Sequence, residues 1–175
     1  NYDTTTGEYS GYNYDYLKAV SQFTGWEYEF VIEPLANCLD DLQQGKIDLI
    51  GNLAKNQERE KLFLYTNYDA GRAAPRLVTQ ITNTRYAFED FASFNGMKIG
   101  VIKGSYLEQA LPAFAAAHHF TYQLKLFQQP QALDSALIAE QIDAALISGL
   151  RTLNNTRILS QLPAETVYFI CAKDK

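Results

Sequence analysis

Several residue types are scarce in this 175-residue chain: two Cys, two His, one Met and one Trp. Cys38 and Cys171 match no metal-ligand spacing. One disulfide is open to them, but two isolated buried thiols is the reading favoured here. The histidines, His118 and His119, are adjacent at a helix end and cannot share a face, so they read as a C-terminal charge and cap, not as metal ligands. No GxSxG, HExxH or Walker loop occurs, and no Cys–His pairing stands out. A catalytic centre, a metal and a cofactor are therefore not expected. No apolar run approaches the roughly 20 residues of a membrane helix. Basic residues are outnumbered, 15 Lys and Arg against 20 Asp and Glu, with no basic cluster, which excludes a nucleic-acid binder. The first residues carry no signal-peptide pattern, so any targeting segment is expected to lie outside this chain.

What remains is ordinary globular material. Apolar residues make up 47% and charged residues 20%, enough for a real core in one medium domain or two small lobes. Tyr (12) and Phe (10) are numerous, and most are expected in the core, with a few free to line a small-molecule pocket.

Along the chain, 1–11 reads as a loop or hairpin. Residues 12–25 place Tyr16, Leu17, Val20 and Phe23 at helical spacing, with Gly25 as the stop. Strand alternation follows over 26–32. A short helix over 36–45 precedes a buried strand over 46–53. A second unit begins near Arg76. Its expected order is a β-rich segment from Arg76, a short helix and turn before Gly96, and a strand over 97–104. A helix over 105–119 carrying Pro112, a strand over 121–127, a helix over 130–141 and a strand over 142–148 follow. An irregular stretch then leads to a closing strand over 166–173. Alternating β and α segments argue for parallel sheets with crossover helices. "QQGKIDLIG" and "IAEQIDAALIS" form a weak internal repeat, consistent with two similar lobes.

These segments, in this order, resemble the type 2 periplasmic solute-binding proteins, in particular the polar-amino-acid-binding group. The matching pieces are "GYNYDYLKAVSQFTG", "CLDDLQQGKIDLI", "NQERE…YT", "FNGMKIGVIKGS" and "IDAALIS". The wording of "GYNYDYL", "TGWEYEFV" and "GNLAKNQERE" is similar to the extracytoplasmic sensor domains of bacterial histidine kinases and diguanylate cyclases. The resemblance implies an α/β, two-lobe fold, each lobe a mainly parallel sheet flanked by helices. Lobe 1 is expected at 1–78 plus 166–175, and lobe 2 at 79–165. It also implies a fold shortened at both ends, because the match starts where a pocket loop would finish and stops after the last strand. A missing edge strand leaves a homodimer or strand exchange open. Membrane attachment would come only through flanking segments outside the chain, at an extracytoplasmic location.

The resemblance also names a site. Arg59 would meet the carboxylate of a small anionic or zwitterionic ligand, because a guanidinium fork matches a carboxylate bidentately. The plain reading of the residues makes Arg59 one charge of five on a solvated turn; the expectation taken is that Arg59 faces the cleft while Lys55, Glu60 and Lys61 face water. On that expectation Arg59→Ala abolishes binding and leaves folding intact. Gly51, Asn52, Leu53 and Ala54 follow an apolar strand, where open α/β sheets bind ligands. Gly104 and Ser105 open a helix whose N–H groups attract anions, with Lys103 beside them; Ser105 and Glu108 also form a capping-box pattern. Tyr65 and Tyr68 are the favoured pocket aromatics. Ser148 stands where amino-acid binders of the family often carry an Asp, so the ligand lacks an α-ammonium or another carboxylate neutralises it. Asp48 and Asp143 read as structural.

The functional expectation is a non-enzymatic binding domain acting as the sensor input of a membrane signalling protein. The alternatives are the solute-binding component of an ABC transporter, a cyclohexadienyl-dehydratase-like enzyme using Glu58 or Glu108, and a degenerate module that binds no solute.

Overall fold

The computed structural model describes residues 2–3, as backbone, and 6–173. The chain divides into two compact units, 1–33 and 34–175.

In the first unit, β1 (Tyr2–Asp3) and β2 (Glu8–Tyr9) pair as an antiparallel hairpin, as expected; Thr4 and Thr5 of the expected loop lie outside the described residues. Helix α1 (Tyr12–Thr24) ends where predicted: Gly25 is left-handed (φ 70°) and its N–H returns to the Ser21 carbonyl. None of the α1 residues is buried, and Phe23 is 90% exposed. The strand expected over 26–32 is not formed. Alternation supplies a strand's faces but not its ladder, and no described strand pairs with this segment. It is held instead by side chains: Tyr9 donates its hydroxyl to the Phe30 carbonyl (3.1 Å), and the Tyr9, Tyr14 and Phe30 rings pack together.

The second unit opens with α2 (Leu35–Gln44), stopped by left-handed Gly45. Then come β3 (Ile50–Ala54), α3 (Gln57–Leu62), β4 (Phe63–Tyr65), β5 (Gly71–Ala73) and β6 (Arg76–Gln80). A 3-10 turn at Phe91–Phe94 leads to β7 (Met97–Ile102), α4 (Tyr106–Ala117), β8 (Tyr122–Phe127), α5 (Pro130–Ile138) and β9 (Ala144–Ile147). The chain finishes with β10 (Thr156–Gln161), inside the stretch expected to be irregular, and β11 (Glu165–Ala172).

Two sheets result. The larger has the order β10-β6-β9-β7-β8. In the smaller, β11 is the common partner of β3, β4 and β5. The expectation of mainly parallel sheets needs correction. β7 pairs in parallel with β8 and β9, which lie beyond the crossover helices α4 and α5. All other pairings in these sheets among the described residues are antiparallel, because β6, β10 and β11 run back through the sheets without a crossover helix.

The alternation along β6 sets the two sides of the larger sheet. Leu77 packs with Ile99, Val101, Leu107 and Leu111 on the α4 side, and its neighbour Val78 with Leu133, Leu137 and Ile147 on the α5 side. Gly100 lets α5 approach closely: a Cβ there would lie 2.4 Å from Leu133 Cδ1. The smaller sheet packs Leu53, Phe63 and Ile170 against Leu42 of α2. Cys38 and Cys171 are free thiols, half-buried where burial was expected.

The chain passes between the sheets twice, through Ala74–Pro75 and through 162–164. Arg76 braces the first passage. Its Nη2 donates to the carbonyls of Gly149 (2.8 Å) and Arg151 (2.9 Å). Gly149 lies so close to Ala74 that a Cβ would meet the Ala74 carbonyl oxygen at 2.3 Å.

Candidate functional site

The site begins with a bulge. β3 meets β11 in register at Ala54–Val167 and Leu53–Tyr168, then slips before Ile50–Ile170. Three steps on β3 oppose two on β11, so one residue is extra, and Asn52 takes the strain with a left-handed φ of 63°. Asn tolerates that conformation better than most residues. The bulge leaves the Asn52 side-chain Oδ1 buried without a hydrogen-bond partner.

Beyond Ala54, Asn56 caps the short helix α3: its side chain accepts the Arg59 backbone N–H at 2.7 Å. That cap aims Arg59 inward. Arg59 is 6% exposed and is the only buried charged side chain among the described residues. Its Nη1 donates to the Ala54 carbonyl (3.4 Å), and its Nη2 to the carbonyl of Gly104, which follows β7 of the other sheet. Tyr65 donates its hydroxyl to the same Ala54 carbonyl (3.4 Å). Among the described residues no carboxylate pairs with Arg59; the ion pairs found are Lys46–Asp41 and Arg151–Asp134. Burial lowers the pKa of Arg59, opposed by the charge interaction with Tyr65, and burial raises that of Tyr65. Arg59 stays cationic, because a guanidinium ordinarily holds its proton far above neutral pH.

The expectation that Arg59→Ala costs little stability is therefore revised. It assumed an exposed charge, whereas this side chain is buried and bonded to two carbonyls. Glu60 and Lys61 are exposed as expected. Lys55 is exposed too, yet its ammonium lies over the Tyr168 ring at 4.4 Å and farther from the Tyr65 ring, at 5.6 Å. The two rings meet edge to face.

Arg59 thus gathers Ala54, Tyr65 and Gly104 of the predicted site, with Gly51, Asn52 and Leu53 behind it on β3. Gly104 is left-handed (φ 75°) with open space where a Cβ would stand. The capping box expected at Ser105 does not form. The Ser105 hydroxyl donates back to the Ile102 carbonyl (2.7 Å), and the Glu108 carboxylate accepts the Gly104 N–H (2.8 Å), one residue before the expected one. The turn at Gly104 has rotated Ser105 toward β7. Lys103 is exposed. Ser148 sits at the end of β9, where its Oγ accepts the Leu150 N–H (3.3 Å). Tyr68 is 87% exposed, away from the cluster. Asp143 is structural, as read: its carboxylate accepts the Lys98 N–H at 2.8 Å. Asn56 was passed over as a functional residue, although its position three before Arg59 is an N-cap signal.

Comparison with known proteins decides the family. The sequence pattern of the bacterial extracellular solute-binding proteins, family 3, matches residues 1–156. The chain belongs to this family. Among relatives of this solute-binding protein is the L-cystine-binding protein TcyJ of Bacillus subtilis (strain 168). It is 43% identical over 61 residues, 34% of this chain but only 23% of TcyJ, so the match spans about a quarter of that relative. An ancestral arginine-binding protein bound to glutamine superposes with a TM-score of 0.80 at 21% identity, over 99% of this chain and 78% of that one. An ancestral amino-acid-binding protein, AncCDT-1, described as a precursor of cyclohexadienyl dehydratase, gives 0.78 at 20% identity, over 99% and 75%. The solute-binding protein therefore has the α/β, two-lobe type 2 periplasmic-binding-protein fold. No helix among the described residues is long and apolar enough to cross a membrane.

Proposed function

We propose that this solute-binding protein takes a small zwitterionic or anionic solute through its carboxylate, with Arg59 as the anchor. The carrying observation is that Arg59 is buried and cationic with no acidic partner among the described residues. Burying an unpaired charge is costly, so such a group is a natural receptor for an anion. Two carbonyls engage two of the five guanidinium N–H groups. A ligand carboxylate would take others or displace Gly104. Asn52, Tyr65 and the backbone of 51–54 and 104–105 would complete the site, with Lys103 and Ser148 at its margin. The lobes are the two sheets with their helices, and the passages at Ala74–Pro75 and 162–164 would be the hinge through which binding alters the angle between them.

We further propose an extracytoplasmic location and a role as the sensor input of a membrane signalling protein. Its support is the wording of the N-terminal motifs. A transporter component is the second reading, favoured by the likeness to the cystine-binding protein.

The test is a thermal-shift screen against the twenty amino acids, cystine, dicarboxylates and small peptides. A ligand at 100 times its Kd adds about 2.7 kcal/mol, a shift of several degrees for a domain of this size. A hit with a carboxylate compound that is lost in its amide, and lost in Arg59→Lys, supports the anchor. No shift with any class refutes it.

A further inference from the structure

A concavity is lined by residues other than those gathered by Arg59. It is a cavity of about 340 Å³, within the range of small-molecule pockets. One wall is a face of α4 hollowed by small residues: Ala110, Ala113 and Ala117 recur at helical spacing, between the rings of Tyr106 and Phe114. The opposite wall comes from both passages between the sheets, Pro75 on one and Leu162–Pro163 on the other, with Glu165 beyond. Glu165 is its only carboxylate and no lysine or arginine lines it; the one basic side chain on its wall, His118, is stacked on Phe91. Tyr106 adds an unmet need: its hydroxyl oxygen is buried with no hydrogen-bond partner. Glu165 is near enough for its charge, second to burial, to help raise the phenol pKa to about 12.

We infer that this cavity is a second small-molecule site, for an apolar monoamine. The hydrocarbon body fills the groove between the α4 alanines and the prolines, and the ammonium meets Glu165 and supplies the missing donor to Tyr106. A neutral body would fit the same walls but make no use of the exposed Glu165 carboxylate, which would stay with water. Because Pro75 and Pro163 belong to the two passages, an occupant also braces the junction between the sheets.

The test uses the 175-residue chain and 2-phenylethylamine, with 2-phenylethanol as the neutral counterpart, followed by calorimetric titration near neutral pH. The amine is expected to saturate one site, and Ala113→Phe, which fills the groove from an exposed helix position, to weaken it about tenfold or more. Glu165→Gln should cancel the preference for amine over alcohol, about fivefold for a partly exposed pair. Should Ala113→Phe fail to fold by circular dichroism, Ala117→Leu fills the same groove. Absence of saturable amine binding, binding unchanged by the groove-filling variant, or equal affinity for amine and alcohol overturns the inference. The amino-acid screen on Ala113→Phe is a separate readout, so failure of the Arg59 anchor and failure of this site are told apart.

Discussion

Replacing Arg59 by Ala removes the two hydrogen bonds that tie α3 to the end of β3 and to the turn at Gly104. A hydrogen bond from a charged donor contributes about 1.5–3 kcal/mol. The bond to Ala54, at 3.4 Å, is long and counts for less. Losing the buried guanidinium also relieves its desolvation and leaves the Gly104 carbonyl short of a partner; these effects oppose one another. The net loss should be about 2 kcal/mol, which for a domain of this size lowers Tm by roughly 4–8 °C. Thermal unfolding followed at 222 nm, with urea titration for the free energy, measures it. Arg59→Lys keeps the charge but replaces the fork by one ammonium, and should fall between the two. If Arg59→Ala melts within about 1 °C of the parent, the side chain is not holding these elements together and the reasoning from burial fails.

Other expectations follow from close approaches and buried groups. Gly149→Ala should cost about 1–3 kcal/mol by urea unfolding, because the added methyl meets the Ala74 backbone, which cannot rotate aside as a side chain would. Gly104→Ala meets no atom within 4 Å, so its cost, about 1 kcal/mol, should come from the left-handed φ alone. Tyr106 has a folded pKa of about 12 against an ordinary 10.0, so it favours the folded state below pH 10 and loses that contribution as pH rises toward 12. Tyr106→Phe should flatten the alkaline fall in stability while leaving neutral stability unchanged or higher, since the hydroxyl has no partner to lose.

Much of the fold was legible because its signals are local. Gly25 and Gly45 closed their helices in the left-handed conformation, and the apolar runs of β7, β9 and β11 marked buried strands. What escaped depends on distant partners. Residues 26–32 alternate as well as many strands do, but no described strand pairs with them to complete a ladder. Conversely, β10 hid in an uneven sequence because its pairing with β6 supplies what periodicity did not. The direction of sheet pairing was misjudged for the same reason: alternation of segments does not say which strands return without a helix. At the site, Arg59 was identified through resemblance, while its burial depends on the Asn56 cap and on a carbonyl 45 residues away. Ser105 and Glu108 carried the correct pair of residue types, yet a left-handed Gly104 shifted the bond by one residue.

The pairing of β11 has a consequence for the order in which the chain acquires structure. Strands β3, β4 and β5 share no ladder with one another on the main path of the smaller sheet; each needs β11, which is synthesised more than ninety residues after β5 begins. The larger sheet is complete once β10 has emerged, so it can fold while the smaller one still lacks its central strand. The link through Arg59, which joins the two, is then the last to form on the ribosome, and a nascent chain stopped before Glu165 should display the edges of three unpaired strands to any chaperone that reads them.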